Sequence, residues 1–231
     1  MARGYDNGKV EQGCLLDLRF VEGTGGIGVR THDWAKPHHL VTLVTAVTWT
    51  AAPSGLTVLD FNGTSDRLIC LAAASADLAF TSGDFSGVVW VCPDAVGNRY
   101  FMMKGAAGTG WAFWLSGVTP FLCFTTEQAG PVYQTTVGGG QFVTSAWQLV
   151  GFSRSGVAAR LYLNGLDCTS GPATHIDPAS AAAGDFSIGS TVGGGAGWIN
   201  GDMSRPRLWG CELTLDEHWA IFERERHLYN V

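Results

Sequence analysis

The sequence predicts an all-β protein, a two-sheet antiparallel sandwich with one short C-terminal helix. Three observations carry this expectation. Leu161 and Leu163 alternate with Arg160, Tyr162 and Asn164, the period-two pattern of a half-buried strand. Asn164-Gly165 then supplies two residues that tolerate positive φ, which predicts a type I′ hairpin turn. About a dozen short runs of the same kind, punctuated by Gly-rich turns, recur along the chain, and only its end carries a helix start signal.

In chain order, residues 1–12 read as an N-terminal arm and residues 13–231 as one domain. Cys14 to Phe20 is the first strand candidate, followed by a Gly-rich turn over Glu22 to Gly26. Residues 30–40 read as irregular, and Val41 to Trp49 as one apolar, β-branched run. Pro53 to Gly55 is a turn, Leu56 to Phe61 a strand, and Asn62-Gly63 a tight turn before Arg67 to Cys70.

Phe85 to Cys92 is apolar on both faces from Val88 onward, as expected of a central strand covered on either side. Pro93 closes it, because proline cannot donate to a ladder. Further strands are expected at Tyr100–Met103, Trp111–Leu115, Phe121–Thr125, Trp147–Ser153, Arg160–Leu163, Phe186–Ile188 and Met203–Trp209. Thr214-Leu-Asp-Glu217 matches a capping box. Trp219, Phe222 and Arg226 follow at helical spacing, with Glu223, Arg224 and Glu225 carrying charge.

Composition narrows the function classes. A chain of 231 residues fits one large β domain. Charged residues are 15% of it, below the roughly 25% of a typical soluble domain. The surface is therefore dressed with Ser, Thr, Gly and Asn, or is covered by other copies in a homo-oligomer. A net charge of −6 favours no phosphate backbone, so nucleic acid is not an expected partner. No apolar run reaches the roughly 18 residues that a membrane span needs, and the N-terminus lacks a signal-peptide core, so a soluble protein is expected. The six cysteines are widely spaced without a CxxC pair, which excludes zinc knuckles and points to free thiols.

The order of the pieces resembles the laminin-G-like, concanavalin A-like jelly-roll superfamily. The resemblance runs through Leu59–Asp66, Phe85–Pro93, Gly110–Leu115, Trp147–Phe152, Arg160–Gly165, Phe186–Gly189 and Ile199–Trp209 to the closing helix. It covers residues 13–231. It implies a sandwich whose relatives mostly bind glycans or proteins, with a minority that hydrolyse polysaccharides. The ending, Leu213–Glu217 through Arg226–Tyr229, is similar to that of such modules in tailed-phage and prophage genes. That similarity implies a virion surface or tail-associated protein.

Catalysis is not expected. A retaining glucanase on this fold needs two carboxylates about 5–5.5 Å apart. On a strand that means Glu-x-Asp-x-x-Glu or a close variant, and no such string exists. Glu223 and Glu225 lie on the helix, where i and i+2 do not face each other. Glu127 is isolated and Glu22 sits in a Gly turn. Ser153 lacks the Gly-x-Ser-x-Gly of a nucleophile elbow. His38-His39 reads as a solvated loop pair, since adjacent side chains on an extended chain point apart.

Calcium is implied by the resemblance, with Asn62, Asp66 and Asp202 in turns similar to the family's metal-bearing positions. The alternative is that Asn62 and Asp66 simply shape their turn. For glycan binding, Trp111 and Phe113 share one strand face and Trp114 takes the other. Trp90, Trp147 and Trp209 are expected in the core. Trp198, Trp114, Tyr133 and Asn200 are the expected ligand-binding residues. The leading expectation is a non-catalytic carbohydrate- or cell-surface-binding module displayed on a phage virion. The alternative is a structural capsid or tail decoration protein that binds other virion subunits and no small ligand.

Overall fold

Two antiparallel sheets stack face to face in the computed structural model. It describes residues 13–21, 30–45, 47–105, 109–117, 120–127, 133–140, 142–178 and 180–231. The expected arm and the Gly turn at 22–26 lie outside these residues.

The first sheet runs β14 (Leu166–Asp167), β13 (Ala158–Leu163), β12 (Gln148–Ser155), β7 (Phe85–Pro93), β17 (Asn200–Trp209), β5 (Thr57–Asn62) and β4 (Thr48–Ala51). A further strand, β1 (Cys14–Asp17), pairs with the distal half of β17. The second sheet runs β15 (Thr169–Gly171), β11 (Tyr133–Gly138), β10 (Leu122–Glu127), β9 (Gly110–Leu115), β8 (Arg99–Lys104), β16 (Phe186–Ile188), β6 (Arg67–Cys70), β3 (Leu40–Val44) and β2 (Arg30–His32).

The inner faces of both sheets form one core. Phe124 stacks on Phe152 across the gap with ring centres 4.6 Å apart, and Phe113 approaches Phe152 at 5.1 Å. Such contacts add to the area term that dominates burial of aromatic rings. The first sheet is covered on its other face too. Val88 and Trp90 of β7, Leu149 of β12 and Trp209 of β17 pack there against Ile221 and Tyr229. Those last two belong to the C-terminal helix α1 (Leu215–Glu225) and the single turn after it. β7 is therefore buried on both sides, as its unbroken apolar run requires. Gly151 lets the helix come close: a Cβ there would lie 2.9 Å from the His218 ring.

A β-bulge in β17 decides which side chains point where. Between Ser204 and Arg207 the register against β7 slips by one residue, and Arg205 takes a φ of +50°. Before the bulge Met203 faces the inter-sheet core; after it Leu208 does. An extra residue inverts the alternation, so Ser204, Arg207 and Trp209 all end on the helix side.

Several expectations needed correction. The run Val41–Trp49 is not one strand. It breaks at Thr45, whose φ is +66°, and the chain leaves β3 in the second sheet for β4 in the first. Residues 30–40 include β2. The edge strand β15, its neighbour β11 and a 3₁₀ helix at Ala72–Leu78 carried no recognised pattern. The capping box holds, with Thr214 and Glu217 bonding each other's amides. The helix buries His218, Ile221 and Glu225, however, while Trp219 and Arg226 are exposed. The reason is a buried arginine beneath it. Among the described residues no helix is long and apolar enough to cross a membrane.

Candidate ligand-binding cleft

With one face of the first sheet under α1, the outer face of the second sheet is the open broad surface. There the register aligns three cross-strand rows. Tyr100 of β8 faces Trp114 of β9, and Ala112 of β9 faces Thr125 of β10, which faces Thr135 of β11. Gly110 faces Glu127, which in turn faces Tyr133. A small residue, Ala112, thus stands where a bulky one would fill the surface. The result is a cleft of about 240 Å³ with Tyr100 and Trp114 on one side and Tyr133 and Glu127 on the other.

The walls are ordered by specific contacts. Tyr100 stacks on Trp114 with ring centres 5.6 Å apart and planes 12° from parallel. The Trp114 indole Nε1–H donates to the Thr125 hydroxyl at 2.9 Å. Thr125 and Thr135 hydroxyls lie 2.9 Å apart and share one proton. Each hydroxyl has one proton to give, so whichever way that bond runs, the other threonine's proton is uncommitted among the described residues. Burial and the nearby Glu127 carboxylate raise the Tyr100 phenol above its ordinary range. The cleft therefore offers two aromatic faces, a hydroxyl donor and a carboxylate acceptor. Tyr133 is 51% exposed, ready to cover a ring-shaped ligand.

Of the residues expected to bind ligand, Trp114 and Tyr133 meet here, and Trp198 and Asn200 do not line the cleft. Trp198 is half-buried, with the Arg67 guanidinium 5.5 Å from its ring centre and its carbonyl accepting from Arg99. Asn200 pairs with Asn62 across β17 and β5, and its side chain sits against Gly63. Sequence reasoning missed Tyr100, Thr125 and Thr135. The small-small-Trp alternation at Gly110, Ala112 and Trp114, and the polar alternation at Thr125 and Glu127, would have marked that face.

The residues expected to hold calcium do not fit one. The Asn62 side-chain oxygen accepts from Thr64, Ser65 and Asp66 amides and from the Thr64 hydroxyl. Asp66 accepts from the Asn62 amide and the Thr45 hydroxyl. These oxygens close the turn. Asp202 stands directly across from Asp60, and burial with the Asp60 and Asp94 charges pushes its carboxyl up to about 6. Among the described residues no three His, Cys, Asp or Glu side chains are grouped to hold a metal.

Other reactive-looking groups prove structural. Ser153 Oγ lies 2.9 Å from His218 Nε2, but both are buried under α1 and the hydroxyl donates to the Leu213 carbonyl. His38-His39 is not a solvated pair. His39 is buried, its Nδ1 2.6 Å from Asp33 and its Nε2 2.9 Å from Asp77. The two carboxylates draw the ring inward. All six cysteines are free, and burial raises the Cys14 thiol to about 12.

A laminin G family model, described as the concanavalin A-like lectin/glucanases superfamily, matches residues 64–217, about two thirds of the chain. No curated protein matches the sequence. Among solved structures, the fold is similar to botulinum neurotoxin type C, whose cell entry depends on interaction with two ganglioside molecules. That match has a TM-score of 0.70 at 12% identity and covers 93% of this chain and 52% of that one. The binding domain of botulinum neurotoxin DC in complex with rat synaptotagmin II matches at a TM-score of 0.69 and 12% identity, covering 93% and 52%. The serotype G binding domain matches at 0.71 and 13%, covering 92% and 51%. At these identities the likeness is one of fold, and the chain spans about half the length of these structures.

Proposed function

The chain belongs to the concanavalin A-like lectin/glucanase superfamily, and on that footing we propose that it is a non-catalytic module that binds carbohydrate or a cell-surface ligand. The observation that carries the reading is the cleft on the second sheet. A sugar ring stacks on Tyr133 and on the edge of the Tyr100–Trp114 pair. Its hydroxyls give protons to Glu127 and take one from the Thr125–Thr135 couple. Glu127 is the sole carboxylate among the described residues lining the cleft, so the paired acids of a retaining glycosidase are not assembled there. The neighbours' ganglioside and synaptotagmin partners support a surface ligand in kind, without naming one for this chain.

Display on a phage particle rests on the likeness of Leu213–Tyr229 to phage module endings. Docking to capsid or tail subunits is the second reading. It is favoured by exposed Leu166 and Trp219, which flank Gly165 where the β13–β14 hairpin meets α1. A glycan array probed with purified protein tests the first reading. Signal that Tyr133→Ala abolishes supports it. A blank array, together with an obligate oligomer on size-exclusion chromatography, favours the second.

A further inference from the structure

A cleft larger than the one on the second sheet lies elsewhere. It measures about 400 Å³ and opens where β1 and the bulged half of β17 meet the last turn of α1. Its lining is cationic in a protein whose net charge is −6: Arg19, Lys36, Arg205, Arg207 and Arg224 stand around exposed Trp34, with Asp17 as the one lining carboxylate among the described residues.

The charges there are not balanced. Arg207, Arg205 and Arg224 all converge on the buried Glu225 carboxylate, at 2.8, 3.3 and 3.6 Å. One carboxylate lies within ion-pair reach of three guanidinium groups, and Asp17 acts on Arg205 and Arg207 from farther off. Arg207 spends both terminal nitrogens on Glu225, and its buried Nε has no hydrogen-bond partner among the described residues. Crowding is visible in Arg205, where burial, reinforced by the neighbouring Arg207 charge, outweighs the pull of Glu225 and lowers its basicity. Arg205 also holds a left-handed backbone conformation at the bulge, which is strained for a non-glycine residue. Bulges of this kind re-aim side chains beside sites. On the rim, Trp34 is 51% exposed and the Arg19 guanidinium sits 5.1 Å from its ring centre.

We propose that this cleft is a second ligand site, specific for a carboxylate-bearing sugar. The carboxylate enters among Arg205, Arg207 and Arg224, where planar guanidinium donors match it and its own negative charge offsets theirs. The apolar face of the pyranose lies against Trp34, and Lys36 closes the rim. An aromatic plane next to a guanidinium cluster distinguishes a sugar acid from a bare anion, which would use the charges alone.

Isothermal titration of the full chain with trigalacturonate, against neutral galactotriose and a hexaglutamate peptide, tests the site. Trigalacturonate is expected to bind with an affinity that falls about tenfold or more in Arg224→Gln and in Arg205→Gly. Glycine suits the positive φ at 205, so the second variant keeps its melting temperature and reports the charge. Trp34→Ala is expected to weaken trigalacturonate as well. Tyr133→Ala, in the other cleft, leaves this binding unchanged, so failure here is separable from failure of the array experiment. Absence of trigalacturonate binding, or affinity unchanged in both arginine variants, overturns the proposal. Equal affinity for hexaglutamate overturns its sugar specificity.

Discussion

Arg207 on β17 and Glu225 on α1 meet through two parallel hydrogen bonds of 2.8 Å, with both side chains almost fully buried. Trp90 Nε1–H donates to the same carboxylate at 2.9 Å, so the helix is pinned to the middle of the first sheet. Burial alone would raise the Glu225 carboxyl; Arg207 and Arg205 outweigh it and hold it below its ordinary range. Removing one partner strands a charge in the interior, which costs about 3–5 kcal/mol. Glu225→Ala is therefore expected to lower denaturant stability by that amount. An Arg207→Met/Glu225→Leu double variant should recover most of it, and a double variant no better than the single one refutes the pairing.

Two histidines make the protein acid-sensitive. Burial depresses His218 to about 3, and burial with the nearby Arg154 charge depresses His175 to about 4, against an ordinary 6.5. Below pH 6.5 the unfolded chain takes up protons that the native rings refuse, so stability falls as pH drops from 6.5 toward 4. His175 spans the Thr126 and Thr136 hydroxyls, each at 2.8 Å. His175→Gln should flatten this acid limb; urea melts at several pH values would show it unchanged if the idea is wrong.

His39 works with the opposite sign. Burial pushes it down, but the bonds to Asp33 and Asp77 prevail and raise it above 6.5. Its contribution is fully present below pH 6.5 and is lost as pH rises through the raised value. The stability deficit of His39→Gln should thus be larger at mildly acidic pH than at pH 9. A pH-independent deficit would assign His39 a packing role only.

Asp202 is raised to about 6 by burial and by Asp60 and Asp94. The native state favours its protonated form, so stability is lost as pH rises from about 4 through 6. Asp202→Asn should gain about 1 kcal/mol at pH 7, after allowing for solvent screening of a half-exposed group. The gain should vanish near pH 4. Calcium titration at pH 7 belongs with this measurement. Heat, or a melting shift that Asp202→Asn removes, would restore a metal to this corner.

The β13–β14 turn gives a backbone test. Asn164 and Gly165 have φ of +51° and +77°, as a type I′ turn requires. A Cβ at 165 would also lie 2.9 Å from the Trp219 backbone. Gly165→Ala is expected to cost about 2 kcal/mol, from strain and clash together. A smaller loss than that of the open-turn variant Gly55→Ala would contradict the close approach.

Much of this was legible in the order of residues. The alternation in Arg160–Leu163, the unbroken run after Val88, the Asn-Gly turns and the Thr214–Glu217 capping box are local signals. Each strand or turn they predicted has a short-range cause, and β6 and β16 fall at their predicted bounds. Of the four expected ligand residues, Trp114 and Tyr133 line the cleft on the second sheet. Trp114 was recognisable by its parity against Trp111 and Phe113, whereas Trp198 stood out only as an aromatic near glycines, which says nothing about Arg67 beneath it.

By itself the sequence determined the layer architecture, because side-chain periodicity and turn chemistry act over a few residues. Tertiary structure alone decided that Glu225, on a charged stretch of helix, is a buried acid, since Arg207 lies 18 positions away in the chain. It also decided that Ala112 opens a cleft beside Tyr133, and that five cations gather at the bulge in β17. Those are relations between strands and faces, fixed by register and by which surface α1 covers, and no local pattern encodes them.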